Sequence, residues 1–341
     1  MKRIVGIVLL MALILGPLAA AGKTEAPEFI IKATTSHSES VDSAELVYLG
    51  ILKEAMESKS NGRVKFDIYP SEQLGNQTEM VQGVQAGTIE IASFNYAILN
   101  SYFPETMLPT VPGFLSDATE VNAIMNGPWG DALHARMETA TGIKVLSALS
   151  NGFRCFTSNK PLNTVASAKG QTFRTMQNPI SVKMVEALGA NAVPMASGEM
   201  YTAMQNGIVD GQENPVNNIL VDKTYEVQKY MVMDNHMASI CAIIINSKFY
   251  NSLPTDIRKV LDDAVAEAEK ASIEMYKVIE VEGIKKLQDY GLQIYFPTPQ
   301  ELIAWQTPIM KATESFARQQ LGNGPVDEFQ KVITAYREKN N

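Results

Sequence analysis

Residues 170–215 carry the types and spacing that could do chemistry. Arg174 sits in an otherwise uncharged strand pattern, 172–176, and a short amphipathic helix pattern ends at Gly207 and leads to Gly211-Gln212-Glu213-Asn214-Pro215. A planar guanidinium pairs in bidentate fashion with a carboxylate, and a carboxamide at a neighbouring strand end can donate or accept beside it. The chemistry implied is recognition of a small carboxylate in a cleft. The plainer readings are an ion-paired surface arginine for Arg174 and a turn-forming role before Pro215 for Asn214.

The elements that must position these groups read as α/β. Residues 29–35 alternate as a first strand, a helical pattern with Leu46, Leu49, Leu52 and Met56 follows, and 63–69 reads as the next strand. A helix over 77–85, a glycine stop at Gly87 and a strand over 88–93 then deliver Phe94, Asn95 and Tyr96. Residues 79–90 align without gaps on residues 199–210, with the glycine and the acidic residue three positions beyond it in register. Two lobes of like topology would each contribute a strand tip to one cleft, although chance likeness of two helix-turn-strand units is the alternative. This repeat and the strand-tip position are what nominate Phe94, Asn95 and Tyr96 as ligand contacts. His37, in the polar loop after the first strand, is a weaker nominee that could equally be solvated.

Two long β patterns, 143–159 and 232–245, are suited to cross between lobes, the first broken at Asn151-Gly152 with Arg154 just beyond. Prolines punctuate 100–130 and discourage long helices, and Phe114 and Trp129 there read as core. A helical pattern over 256–290, about 50 Å long at 1.5 Å per residue, should run along both lobes. The lobes are expected at 22–151 with about 240–275, and at 152–239 with about 276–341.

Composition bounds the function. The chain has 341 residues, 45% hydrophobic, 19% charged and a formal charge of −8, an ordinary globular makeup without the basic density that nucleic acid requires. Lys2 and Arg3, an apolar run over 4–15 and Ala19-Ala20-Ala21 read as a cleavable secretory leader at 1–21, too short to span a bilayer. A soluble extracytoplasmic protein is expected. Cys155 and Cys241 could then pair across strands or remain buried thiols, and the isolated His37, His134 and His236 offer no metal spacing.

The run LGANAVPMASGEMYTAMQNGIVDGQENP, with FRTM upstream and EVQKY downstream, closely resembles the extracytoplasmic solute-binding proteins of TRAP transporters, the tripartite ATP-independent periplasmic carriers of organic acids. SNGRVKFDIYPSEQLGN and VQAGTIEIAS extend the likeness over nearly the whole mature chain. The resemblance implies a two-lobed periplasmic binding protein fold with hinge strands and one long helix under both lobes. It further implies that Arg174 makes the main salt bridge to a ligand carboxylate, that Arg154, Asn214 and His236 contact the ligand, and that a monomeric periplasmic receptor hands a small organic acid to TRAP membrane permease subunits without any cofactor. Ser197 and Phe94-Asn95-Tyr96 depart from relatives of the sialic-acid type, so that ligand is not carried over; sugar acids, C4-dicarboxylates and smaller hydroxy or keto acids stay open. The rivals are an enzyme acting on a small acid, for which no nucleophile elbow, metal cluster or phosphate loop is found, and a receptor serving a sensor.

Overall fold

The structure is a computed structural model that describes residues 26–38, 40 and 43–340. The leader expected at 1–21 lies outside the described residues. Among these, no helix is long and apolar enough to cross a membrane.

Among the described residues nine strands form one mixed sheet: β1 (Phe29–Thr35), β2 (Val64–Tyr69), β3 (Ile91–Asn95), β4 (Ile143–Ser158), β5 (Thr172–Thr175), β6 (Asn191–Pro194), β7 (Gly211–Pro215), β8 (Tyr230–Asn246) and β9 (Gln293–Tyr295). Their order is β2-β1-β3-β8-β4-β7-β5-β6, with β9 added alongside the start of β8. The two long antiparallel strands β4 and β8 hold the halves together. The half containing β2, β1 and β3 leans on residues 241–245 of β8, and the half containing β7, β5 and β6 leans on residues 154–158 of β4.

The internal repeat has a structural cause. Helices Gln77–Ala86 and Ser197–Gln205 are each followed by a left-handed glycine, Gly87 at φ 75° and Gly207 at φ 68°. Glu90 then accepts from the Lys32 amide at 2.8 Å, and Asp210 accepts from the Thr172 amide at 2.9 Å. Each acid thereby ties its turn to the neighbouring parallel strand, β1 in one half and β5 in the other. The tip strands β3 and β7 follow at the same spacing. β3 begins three residues later than the pattern at 88–93 predicts, because the amides of Thr88 and Ile89 fold back onto the Gly83 carbonyl and keep the turn closed.

Where the strands cross between halves, neither is regular. Between Ser150 and Phe153, β4 spends one residue more than β8, and Gly152 takes φ 82°. Between the pairings of Arg154 and Phe156, β8 bulges outward with Asn235 at φ 44°. The helix Thr255–Asp289 runs beneath both: Ile257, Leu261, Ala264 and Ala268 pack with the first half, whereas Leu287 and Ile284 pack with Val216, Ile219 and Met231 of the second. Burying each such Leu or Ile removes enough apolar surface for roughly 1.5–3 kcal/mol.

The final helix, Asn323–Asn340, which sequence patterning grouped with the second lobe, lies instead against residues 114–129. Phe329 stacks on Trp129 at 4.2 Å between ring centroids, and Arg337 bonds Glu120. A terminal helix follows whichever apolar face is uncovered, and the proline-broken stretch offers one through Phe114 and Trp129, whose core assignment the structure supports. Both cysteines are buried free thiols. Cys241 sits opposite Leu149 and Cys155 opposite Asn214, so the strand register keeps them apart.

Candidate functional site

Strand β5 alternates its side chains between two faces. Phe173 packs edge-on against Phe156, so Arg174 must point the other way, toward the space between the halves. It is only 3% exposed. Its Nε and Nη2 donate to the Met195 carbonyl at 3.0 and 2.8 Å, which locks the guanidinium plane. Among the described residues no carboxylate lies at ion-pair distance; Glu213, Asp222 and Glu72 act on it only through space. Burial lowers its pKa to about 10. Arg174 is a pre-oriented cation without a protein counter-ion.

Arg154 is also buried, but its charge is matched. Glu213 on β7 grips it with both carboxylate oxygens, Oε2 on Nε and Oε1 at 3.0 Å from Nη2, while the Glu213 carbonyl accepts from Nη2 as well. Behind Glu213 stands His236 on the β8 bulge, with Nε2 at 3.4 Å from Oε2, and Asp234 accepts from its Nδ1 at 2.8 Å. Burial alone would raise Glu213, yet Arg154 and His236 hold it down to about 2. Burial alone would lower His236, yet Asp234 and Glu213 raise it to about 9. The row Arg154, Glu213, His236, Asp234 alternates in sign and balances itself.

Carboxamides fill the remaining wall. Asn214 donates to Gln212 at 2.6 Å and accepts from Asn218 at 3.3 Å, and Asn151 of the β4 crossing donates to Asn218 at 2.8 Å. On the opposite side Asn95 caps the following turn through the Ala97 amide and donates to Ser239 at 3.2 Å, and Gln77 accepts from the Asn95 amide.

His37 closes the arrangement. Its Nδ1 is 3.2 Å from Asp222 of the second half and its Nε2 is 3.1 Å from Glu45, which opens the helix Ala44–Lys59. Burial alone would lower its pKa, but the two carboxylates raise it well above 6.5. Ser38 donates to the Val221 carbonyl at 2.9 Å, and the Gly198 amide donates to Glu72 at 3.0 Å, so three contacts join the rims of the halves.

His37, Asn95, Arg154, Arg174 and Asn214 thus come together around one cavity, whose wall also includes Glu45, Gln77, Asn151, Asn218 and Ser197. Its free space is about 10 Å³, the room of one water and too little for a small organic molecule. A groove of about 610 Å³ between Ser36, Ser38 and Ser71 on one side and Gly198, Tyr201 and Asp222 on the other adjoins it at Ser197.

Three nominated residues do not reach this cavity. Phe94 is fully buried in the main core, because Asn95 takes the cleft face of β3 and period-two alternation sends its neighbour the other way. Tyr96 is equally buried and bonds His134 at 3.1 Å. His236 stands behind Glu213 and supports the site instead of lining it. Glu45, Asp222, Gln77, Asn151 and Asn218 escaped sequence reasoning. Only the asparagine at the glycine break and the polar run 212–218 hinted at two of them.

The model of bacterial extracellular solute-binding proteins, family 7 (DctP), matches residues 35–320. A TRAP periplasmic solute-binding protein from Desulfovibrio salexigens, solved with orotic acid, superposes with a TM-score of 0.83 at 30% identity, covering 90% of this chain and 97% of that one. One from Polaromonas sp. JS666, bound to D-erythronate, gives a TM-score of 0.82 at 29% identity over 89% and 98% of the two chains. The C4-dicarboxylate-binding periplasmic protein DctP of Rhodobacter capsulatus is 29% identical over 262 residues, 75% of this chain and 78% of that protein.

Proposed function

This chain belongs to family 7 of the bacterial extracellular solute-binding proteins, and on that premise we propose that Arg174 captures the carboxylate of a small organic acid between two closing lobes. The acid is then delivered to the membrane subunits of a TRAP transporter. The observation that carries this reading is the guanidinium of Arg174, buried and oriented by Met195 yet without a carboxylate partner among the described residues. Leaving such a charge unpaired in a low-dielectric site is costly, and a ligand carboxylate removes that cost while gaining charge-assisted hydrogen bonds.

Arg154 contributes differently from the direct ligand contact that the resemblance implied. Glu213 already holds two of its nitrogens, so it offers at most Nη1 to the ligand and otherwise stiffens the cleft floor. The lobes are taken as 22–151 with about 240–275 and 152–239 with about 276–322, joined by β4, β8 and the long helix, with the final helix Asn323–Asn340 packed on the first lobe. Gly152 and Asn235, both at positive φ in the crossing strands, supply the backbone change that closure needs. The contacts of His37 with Asp222 and of Gly198 with Glu72 form only when the rims meet, so a ligand that favours the closed state shifts the lobes toward it. A small carboxylate as the ligand here is supported by the relatives, two of which were solved with orotic acid and D-erythronate and one of which is a C4-dicarboxylate-binding protein.

A thermal-shift screen over an organic-acid library tests this. The true ligand raises the melting temperature of the wild type and leaves Arg174→Ala unmoved; an unmoved wild type across all acids, or a retained shift in Arg174→Ala, overturns the reading. Recovery of the ligand unchanged after incubation separates a receptor from an enzyme.

A further inference from the structure

The two walls of the cavity carry opposite charge, and that polarity selects among acids. At one wall Arg174 is a cation with no carboxylate at ion-pair distance among the described residues. At the other, His37 is faced by two carboxylates, Glu45 at 3.1 Å and Asp222 at 3.2 Å, so that the trio retains one negative charge. Glu45 is 3% exposed, and its Oε2 lines up with no hydrogen-bond donor although His37 Nε2 is close. It is therefore a buried carboxylate on the cavity wall with His37 and the Cys241 thiol beside it, and its two oxygens have lone pairs beyond those two neighbours. The rest of the wall, Gln77, Asn95, Asn151 and Asn218, is neutral and can both donate and accept.

We propose that Glu45 is the specificity-determining residue of this site, accepting a hydrogen bond from a ligand hydroxyl and excluding a second carboxylate, so that the ligand is a polyhydroxylated monocarboxylate. This rests on Arg174 holding the carboxylate. A hydroxyl donates to Glu45 without bringing charge to that wall, so the single ligand anion is left to face the free cation of Arg174. A dicarboxylate would bring a second anion against a wall already negative, where like charges at close range in a water-poor space repel strongly. The neutral carboxamides read the intervening hydroxyls.

D-erythronate and succinate test the idea directly. Both have four carbons, and at the end remote from the first carboxylate one bears a hydroxyl where the other bears a carboxylate. Calorimetric titration of each acid, and of longer aldonates and dicarboxylates in matched pairs, is carried out on the wild type, Glu45→Gln, Glu45→Asp and Arg174→Ala. The wild type is expected to favour the hydroxylated member of each pair. Glu45→Gln should weaken that member about tenfold or more, the scale of one charge-assisted hydrogen bond, and shift the ratio toward the dicarboxylate. Glu45→Asp, which keeps the charge, should preserve the preference at lower affinity and decides the matter if Glu45→Gln does not fold. Preference of the wild type for the dicarboxylates, or an unchanged ratio in Glu45→Gln, overturns the inference while leaving carboxylate capture by Arg174 intact. Failure of every acid to bind the wild type, or full binding to Arg174→Ala, overturns the underlying reading instead.

Discussion

The carboxylate of Glu213 grips two nitrogens of the Arg154 guanidinium, and both side chains are completely buried. Taking one partner away leaves an uncompensated charge in the interior, a loss of about 3–5 kcal/mol. Glu213→Ala should lower the unfolding free energy by that amount in urea titration, and Arg154→Met combined with Glu213→Leu should recover most of it. An additive double variant would deny the pairing.

Arg174 should behave in the opposite sense. In the unliganded protein Arg174→Met removes a buried cation that has no protein counter-ion, so stability is expected to stay level or rise. Ligand affinity should fall by about 2–5 kcal/mol, the cost of truncating a buried, hydrogen-bonded charge pair. Calorimetry on the variant, with melting curves without ligand, reads both halves of the prediction.

Alkaline pH should loosen the molecule through its histidines. His236 is raised from 6.5 to about 9, so its contribution is complete below pH 6.5 and is lost as pH climbs through about 9. His37, raised by Glu45 and Asp222 against its burial, acts in the same direction and does so across the rim between the halves. Unfolding free energy should decline over pH 6.5–9, less steeply in His236→Gln. At the other end Glu213, held down to about 2, keeps its contribution above pH 4.5 and loses it as pH falls toward 2.

Two glycines four residues apart should respond differently to alanine. At Gly207 an added Cβ meets nothing within 4 Å, so only the left-handed φ of 68° is penalised, about 1–2 kcal/mol. At Gly211 the Cβ would stand 2.0 Å from the Thr157 carbonyl oxygen and 3.0 Å from Phe173 Cε1. Gly211→Ala should therefore cost beyond about 4 kcal/mol or abolish folding, as melting curves of the two variants will show.

Much of the architecture was legible in the chain because it follows from local rules. Period-two patterns, left-handed glycine stops and the acid three residues beyond each stop mark the same turn in both halves, and 35 residues of helical spacing do become one helix along both, Thr255–Asp289. Arg174 stood out as the one charge in an otherwise uncharged strand, and Asn214 as a carboxamide at a strand tip before Pro215. Family membership too was readable from the motifs of residues 170–215.

What tertiary structure decided are the facts that depend on alternation and on partners distant in sequence. Of Phe94, Asn95 and Tyr96, only Asn95 faces the cleft, since the pairing of β3 with β8 sets which face each residue presents. Nothing local tells that Arg154 is already answered by Glu213, 59 positions away, while Arg174 is not. Nor does the loop around His37 announce Asp222, 185 positions on, whose carboxylate stands 3.2 Å from its Nδ1. Residue type determines that two guanidinium groups are available; the balance of charges brought together by the fold decides which of them is left without a carboxylate partner among the described residues.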